Sequence, residues 1–203
     1  LRELTTHHGI LLIFDEVVTG FRAAYGGAQA LFGVTPDLTV LGKILGGGFP
    51  IGAVGGSRQV MRQLAPEGSV YHGGTFAGHP IAMAAGLATV EELKRRPPYD
   101  QLESLTVRLA QGLLATAAQS QIALRVNRLG SMLSLFFREG PVTQFAHVQQ
   151  TNTTQFARVA NHLRREGILI PPSPCEAMFV STVHTPRLID RVIEAAAQAF
   201  TTL

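Results

Sequence analysis

Apolar residues are laid out differently in the two halves of this chain. In the first half they come as short unbroken runs. In the second half they recur every three or four residues. The run Ile10–Phe14 shows no alternation, which predicts a strand buried on both faces. It stops abruptly at two acids, Asp15 and Glu16. A second run, Leu38–Leu41, stops at Gly42-Lys43, and a glycine-rich stretch leads into a third expected strand, Ile51–Val54. Around these runs the pattern predicts the tail of a helix at His7-His8 capped by Gly9, a helical turn over Ala28–Phe32 and another over Gln59–Leu64. Pro80 suits the first position of a helix. That helix, Ile81–Arg95, is expected to bury Met83, Leu87, Val90 and Leu93.

Pro97-Pro98 ends that helix and marks a domain boundary. Beyond it, Asp100-Gln101-Leu102-Glu103 reads as a capping-box variant opening a helix with Leu102, Leu105, Leu109 and Leu113 on one face. Strands are expected at Ile122–Val126 and Ser131–Phe137, with a turn at Asn127–Gly130 and an irregular stretch over Gly140–Thr151. An amphipathic helix, Thr154–Glu166, turns Phe156, Val159 and Leu163 inward and closes at Gly167. Further strands are predicted at Ile168–Ile170 and Met178–Val183. Thr185 and Pro186 open a last helix with Leu188, Val192, Ile193 and Ala196 facing in. The fold class is therefore α/β in the first part, residues 1–97, followed by a small α+β domain, residues 98–203.

Composition narrows the function. The chain has 203 residues, 46% hydrophobic and 15% charged, with a net charge of +3. The basic residues are scattered, and no stripe interleaves them with aromatics, which argues against nucleic acid as a partner. No apolar run has the roughly 18 residues of a membrane span, so no membrane is expected. The single cysteine, Cys175, has no internal partner, and the cytoplasm is the expected compartment. Beside Glu176 it reads as a small pocket-wall residue. His72, His79, His147, His162 and His184 form no metal or triad constellation at any supportive spacing, and His162 is expected to be solvated. The chain opens with Leu1 and enters a strand almost at once, which implies a fragment lacking an N-terminal portion.

The chemistry concentrates at the two charged strand ends. In parallel α/β sheets, ligands sit beyond the carboxyl ends of strands. Lys43 is not a phosphate-loop lysine, because Gly33 and Gly42 are too far apart and Ile44 follows it. An amine desolvated at a strand end suits imine chemistry. An ordinary surface-loop lysine fits the same spacing. Asp15 favours the first reading. A carboxylate at the end of a buried strand needs a partner. Arg22 is one candidate. The protonated ring nitrogen of a pyridoxal cofactor is the other, since an acid there keeps the ring able to absorb a carbanion. Gly73-Gly74-Thr75, just before the helix at Pro80, could cradle an anion with backbone N–H groups and a hydroxyl, or simply cap the helix.

Several motifs carry a family resemblance. D-E-V-x-T-G-F-R at Asp15–Arg22, T-P-D-L-T at Thr35–Thr39 and L-G-K-x-x-G-G-G at Leu41–Gly48 resemble the class III (fold type I) pyridoxal-phosphate aminotransferases. The likeness is closer still to the aminomutases of that family. It is carried by Gly26–Ala30, Val126–Met132, Phe136–Phe145 and Pro172–His184. It covers essentially the whole chain but only about the C-terminal half of a family member. The resemblance implies that residues 1–97 are the C-terminal part of the cofactor-binding large domain. It implies pyridoxal 5'-phosphate as cofactor, alternating with pyridoxamine 5'-phosphate, and a homodimer when intact. By the same resemblance Lys43 is the Schiff-base lysine and proton shuttle, Asp15 pairs with the ring nitrogen and Val17 packs on the ring face. Thr75, with Gly74, binds the cofactor phosphate across the dimer interface, and Glu176 lies near the substrate amino group. Ala77 and His79 stand where the family more often has Ser and Asn.

The reaction class follows from one contrast. An aminotransferase that uses a dicarboxylate co-substrate resembles a machine with an arginine clamp in its C-terminal lobe. The segment Ile168–His184 contains neither Arg nor Lys and offers Glu176. That favours an internal amino exchange within one small amino aldehyde over transfer between two substrates. Two other outcomes are an aminotransferase acting on another amine and a truncated chain too incomplete to hold its cofactor.

Overall fold

The computed structural model describes every residue, Leu1–Leu203, and the chain divides into two units, Leu1–Pro97 and Pro98–Leu203. The first unit begins with helix α1 (Arg2–His7), which ends through His8 and Gly9, the glycine taking a left-handed φ of +65°. A three-stranded sheet follows. Strand β1 (Ile13–Glu16) runs parallel to β2 (Leu38–Gly42), and β2 runs antiparallel to β3 (Gly52–Gly56). Helix α2 (Gly27–Phe32) lies between β1 and β2 in sequence. Ser57 caps the single-turn helix α3 (Arg58–Met61), and the long helix α4 (Pro80–Arg95) closes the unit.

The register of β1 against β2 is fixed at one end by Asp37. Its Oδ2 accepts the Leu12 N–H at 2.7 Å and the Arg2 guanidinium at 2.9 Å. The backbone donor, then the arginine, hold its carboxyl below the usual carboxylate range. With Ile13 opposite Leu38, Asp15 falls opposite Val40 and Glu16 opposite Leu41, so the two strands end level.

The expectation of a doubly buried strand at Ile10–Phe14 is overturned. Ile10, Leu11 and Ile13 are 57%, 53% and 55% exposed. The hydrogen-bonded strand is also later and shorter than that run. Burial on two faces requires a layer packed on each, and the exposure of these residues shows that such layers are lacking; β1 is also an edge strand. Helix α4 departs from expectation in the same way. Met83 and Leu87 are exposed, and the buried positions are Ala82 and Gly86. The helix packs through small residues onto the turn after β2. A side chain on Gly86 would meet the Leu45 carbonyl at 2.6 Å, and one on Gly47 would meet the Ala85 carbonyl at 2.9 Å and the Thr89 hydroxyl.

The second unit is an antiparallel sheet, β4 (Arg125–Leu129), β5 (Met132–Phe136) and β6 (Met178–Phe179), with helices α5 (Tyr99–Gln119), α6 (Phe145–Gln149), α7 (Thr153–Arg165) and α8 (Pro186–Phe200). Its core joins Leu102, Leu105, Leu109 and Leu113 of α5 to Leu133 and Leu135 of β5, Phe156, Val159 and Leu163 of α7, and Ile189, Ala196 and Phe200 of α8. Each large side chain buried there contributes roughly 1.5–3 kcal/mol. Phe137 meets Phe156 and Phe200 edge-on, with centroids 6.4 Å and 6.1 Å away.

Several local expectations in this unit are corrected. Helix α5 has no side-chain cap. It starts at Tyr99, so Asp100 sits inside the first turn, and the Pro98 carbonyl takes the Leu102 N–H. The hairpin is tighter than expected: Leu129 pairs with Met132, which moves the first strand to Arg125–Leu129. Residues 168–170 are not a strand, and only Met178–Phe179 pairs with β5. Ile168 and Ile170 earn their apolar character by packing on the core instead. Residues 140–151 include α6. Leu188 is exposed, and Ile189 takes the inward position. His162 is half-buried rather than freely solvated, its Nε2 buried without a hydrogen-bond partner.

Candidate functional site

Asp15 and Lys43 leave the carboxyl ends of adjacent parallel strands. Asp15 is the penultimate residue of β1, and Lys43 follows the last residue of β2. A cleft of about 440 Å³ opens there, lined by Val17, Gly42, Lys43, Ala53, Val54 and His72 among others. The antiparallel return of β3 builds its far wall, with Gly42 opposite Gly52 and Val40 opposite Val54.

Lys43 adopts φ +46°, a left-handed conformation that a side chain takes only at a cost of about 1–2 kcal/mol. The surroundings enforce it. A short 3₁₀ turn, Lys43–Gly46, follows at once, and Gly46 packs so closely on Ile51 that a side chain would come within 2.7 Å of it. Lys43 itself is exposed. The desolvated amine expected at this position is therefore not realised within this chain.

Asp15 is also exposed, and its Oδ1 accepts the Val17 N–H at 3.0 Å. Val17 stands beside Gly42: a Cβ on that glycine would touch the valine Cγ1 at 3.5 Å. The cleft lining thus joins the Lys43 amine to the apolar wall of Val17 and to His72, while Asp15, at the end of the adjacent strand, is not among the lining residues.

Gly74 and Thr75 are exposed and are not among the residues lining the cleft. They open a turn in which the Ala77 N–H reaches the Gly74 carbonyl at 2.9 Å. His79 then caps α4, its Nδ1 accepting the Ala82 N–H at 3.4 Å. The histidine that departs from the family pattern therefore does the capping work an asparagine could do. Glu176 belongs to the second unit. It is exposed, in a turn where its N–H reaches the Ser173 carbonyl at 3.2 Å, while Cys175 N–H donates to the Ser173 hydroxyl.

Sequence reasoning passed over Glu16. It is 1% exposed and accepts four hydrogen bonds: Ala28 N–H at 2.7 Å, Gln29 N–H at 2.8 Å, the Thr19 hydroxyl at 2.8 Å and the Gln29 amide at 3.3 Å. Burial pushes its carboxyl up, and the backbone donors of Gln29 and Ala28 with the side-chain donors outweigh that, so it is held below the ordinary glutamate value. It serves as the anchor for the N-terminus of α2. His72 was legible only as an isolated histidine, because nothing in its neighbours signals the return of the chain to the cleft.

The family model described as Aminotransferase class-III matches residues 1–200. Glutamate-1-semialdehyde 2,1-aminomutase 2 of Brevibacillus brevis is 51% identical over 199 residues, 98% of this chain and 46% of the relative. Glutamate-1-semialdehyde 2,1-aminomutase of Thermomicrobium roseum is 52% identical over 199 residues, with the same coverage of 98% and 46%. Among solved structures, an omega-transaminase from Sphaerobacter thermophilus matches with a TM-score of 0.86 and 35% identity, covering 98% of this chain and 46% of that one. The chain spans about half the length of the curated relatives it matches.

Proposed function

This chain belongs to the class-III aminotransferase family, and from that premise we propose that it works as part of a glutamate-1-semialdehyde 2,1-aminomutase. The reaction is an internal amino exchange that converts glutamate-1-semialdehyde to 5-aminolevulinate, feeding tetrapyrrole assembly, with pyridoxal 5'-phosphate and its pyridoxamine form as cofactor. The observation that carries the reading is likeness at 51–52% identity over 98% of this chain to relatives bearing that name. The strand-end pair Asp15 and Lys43 is what such chemistry needs.

The residues present fit the cofactor. The exposed Lys43 amine opens onto the cleft, Gly42 keeps the floor free of a side chain, and Val17 offers methyl groups to a flat ring. Asp15 is an acceptor-only group at the adjacent strand end, suited to a ring N–H⁺. When bound, pyridoxal phosphate supplies an electrophilic carbon and a charged ring that takes up the electrons of a carbanion. Lys43 Nζ would hold the cofactor and then move a proton between carbon atoms during the exchange. Asp15 keeps the ring nitrogen protonated. The Thr75 hydroxyl and the Gly74 N–H donate to the phosphate in a second subunit of a homodimer. Glu176 is the proposed substrate residue, an acid that disfavours a dicarboxylate co-substrate. On this reading Leu1–Pro97 is the C-terminal part of the cofactor-binding large domain and Pro98–Leu203 is the small domain. The compartment is the cytoplasm. No helix of the structure is long and apolar enough to cross a membrane.

The 35% identity to an omega-transaminase supports a second reading, transfer between two substrates. One experiment separates them. Residues 1–203 replace the matching half of the Brevibacillus brevis relative, and the chimaera is given glutamate-1-semialdehyde with no added 2-oxo acid. Sustained 5-aminolevulinate production is expected. An absolute need for a 2-oxo acid would select the aminotransferase instead.

A further inference from the structure

Glu16 is one residue past Asp15, buried, and absent from the chemistry above. Its carboxylate takes the Thr19 hydroxyl at 2.8 Å, and its own carbonyl takes the Gly20 N–H at 2.8 Å. Side chain and backbone of one residue therefore close the turn 17–20 from both sides. The first residue of that turn is Val17, whose N–H is the 3.0 Å donor to Asp15. Two glycines make this closure possible. A side chain on Gly20 would lie 2.6 Å from the Glu16 carbonyl, and one on Gly27 would strike the Glu16 carboxylate. The residue type matters as well. Four N–H or O–H donors converge on this position, so an acceptor-only group with about four lone-pair sites satisfies it. An amide would turn its own N–H groups against one donor pair, either Ala28 N–H with the Thr19 hydroxyl on Oε2 or the two Gln29 donors on Oε1.

We propose that Glu16 is the positioning residue for Asp15: by locking the turn 17–20 onto the start of α2, it fixes the Val17 N–H and thereby the direction of the Asp15 carboxylate. Asp15 sits on an exposed strand end, and the backbone donor sets its direction. The functional meaning rests on the assignment of Asp15 to the cofactor ring nitrogen, whereas the geometry does not depend on it.

Two measurements test this. The first is amide hydrogen exchange on the 203-residue chain. Glu16→Gln is expected to speed exchange at Val17 on the order of tenfold relative to Val40 in the paired strand. Thr19→Val, which removes a single hydrogen bond, is expected to do the same to a smaller degree, and it carries the test if Glu16→Gln does not fold. Unchanged exchange at Val17, or equal acceleration at Val17 and Val40, would overturn the proposal. The second uses the chimaera and compares pyridoxal 5'-phosphate with its 1-deaza analogue, in which carbon replaces the ring nitrogen. Glu16→Gln is expected to weaken the natural cofactor about tenfold and to leave the analogue's affinity unchanged. Equal weakening of both would overturn a role exerted through Asp15. If the unsubstituted chimaera holds both molecules alike while Val17 exchange still responds to Glu16, the cofactor role of Asp15 falls and the positioning of its carboxylate stands.

Discussion

The carboxylate of Glu16 fills the space that a side chain at Gly27 would need. Gly27 also holds a left-handed φ of +71°. Gly27→Ala therefore meets two penalties at once, the backbone strain and the displacement of a buried, fully hydrogen-bonded carboxylate. We expect it to destabilise the first unit by about 2–4 kcal/mol. Gly33→Ala is the control, because Gly33 is left-handed too, at +63°, but has open space around it. It should cost only the strain, about 1–2 kcal/mol. Urea denaturation of the two variants gives the difference, and equal losses would mean that Glu16 can move aside freely.

Acid should weaken the first unit through Glu16 and Asp37, as it weakens the second through Asp190. The folded pKa values of Glu16 and Asp37 are both depressed. Their stabilisation is present above the unfolded carboxylate values, near pH 4, and is lost as pH falls toward the lower folded values. Glu16→Gln should flatten that acid limb, because the amide does not titrate. A circular-dichroism titration of both chains reads this directly. An acid limb as steep in Glu16→Gln as in the parent would assign the loss to other groups.

Lys43 inverts a usual rule. Glycine is normally less stable than alanine in ordered structure. At φ +46° the order should reverse, with Lys43→Gly more stable than Lys43→Ala by about 1 kcal/mol. Both variants should lose cofactor retention and turnover in the chimaera. Thermal melts of the two variants settle the order, and alanine on top would show that the strain is relieved by local rearrangement.

Asp15→Asn should act on the chemical step. Replacing a charged acceptor at the ring nitrogen removes a charge-assisted bond, so kcat in the chimaera should fall at least about tenfold to a hundredfold. KM should change less. A rise in KM with kcat intact would place Asp15 in substrate binding instead.

The isolated chain should hold pyridoxal phosphate weakly. Lys43 and Asp15 are exposed, Thr75 lies apart from the cleft lining, and the apolar residues Ile10, Leu11 and Ile13 along and before the edge strand face solvent. Dialysis of the loaded chain should strip the cofactor and its visible absorbance, and concentration should drive association through the exposed edge. Retained absorbance that disappears in Lys43→Ala would contradict this expectation.

The strand ends were readable in the sequence because a charge that terminates an apolar run is conspicuous. The places of Asp15 and Lys43 at strand ends could be read from that alone, while their roles came from the family resemblance; the inward faces of α5 and α7 were equally readable, and their Leu102, Leu105, Leu109, Leu113, Phe156, Val159 and Leu163 are all buried. Glu16 was adjacent to a correct observation and still invisible, since its main partners are backbone N–H groups at positions 28 and 29, which leave no mark in side-chain chemistry. Burial of Ile10–Phe14 failed for a related reason. Apolar character states what a strand can cover, and neighbours decide whether it is covered. Ile168 and Ile170 show the same limit, apolar because they pack on a core rather than because they pair.

The contact between α4 and the turn after Lys43 has a genetic consequence. That contact is made through Gly86 against the Leu45 carbonyl and through Gly47 against Ala85 and Thr89. Side chains there have nowhere to go, so the lysine's position is specified by atoms that are missing rather than by groups that bind. A saturation screen for function would find these glycines nearly as intolerant as Lys43, though they carry no reactive group. Such a map would draw the boundary of the site well beyond its chemistry, along the small-residue face of a helix.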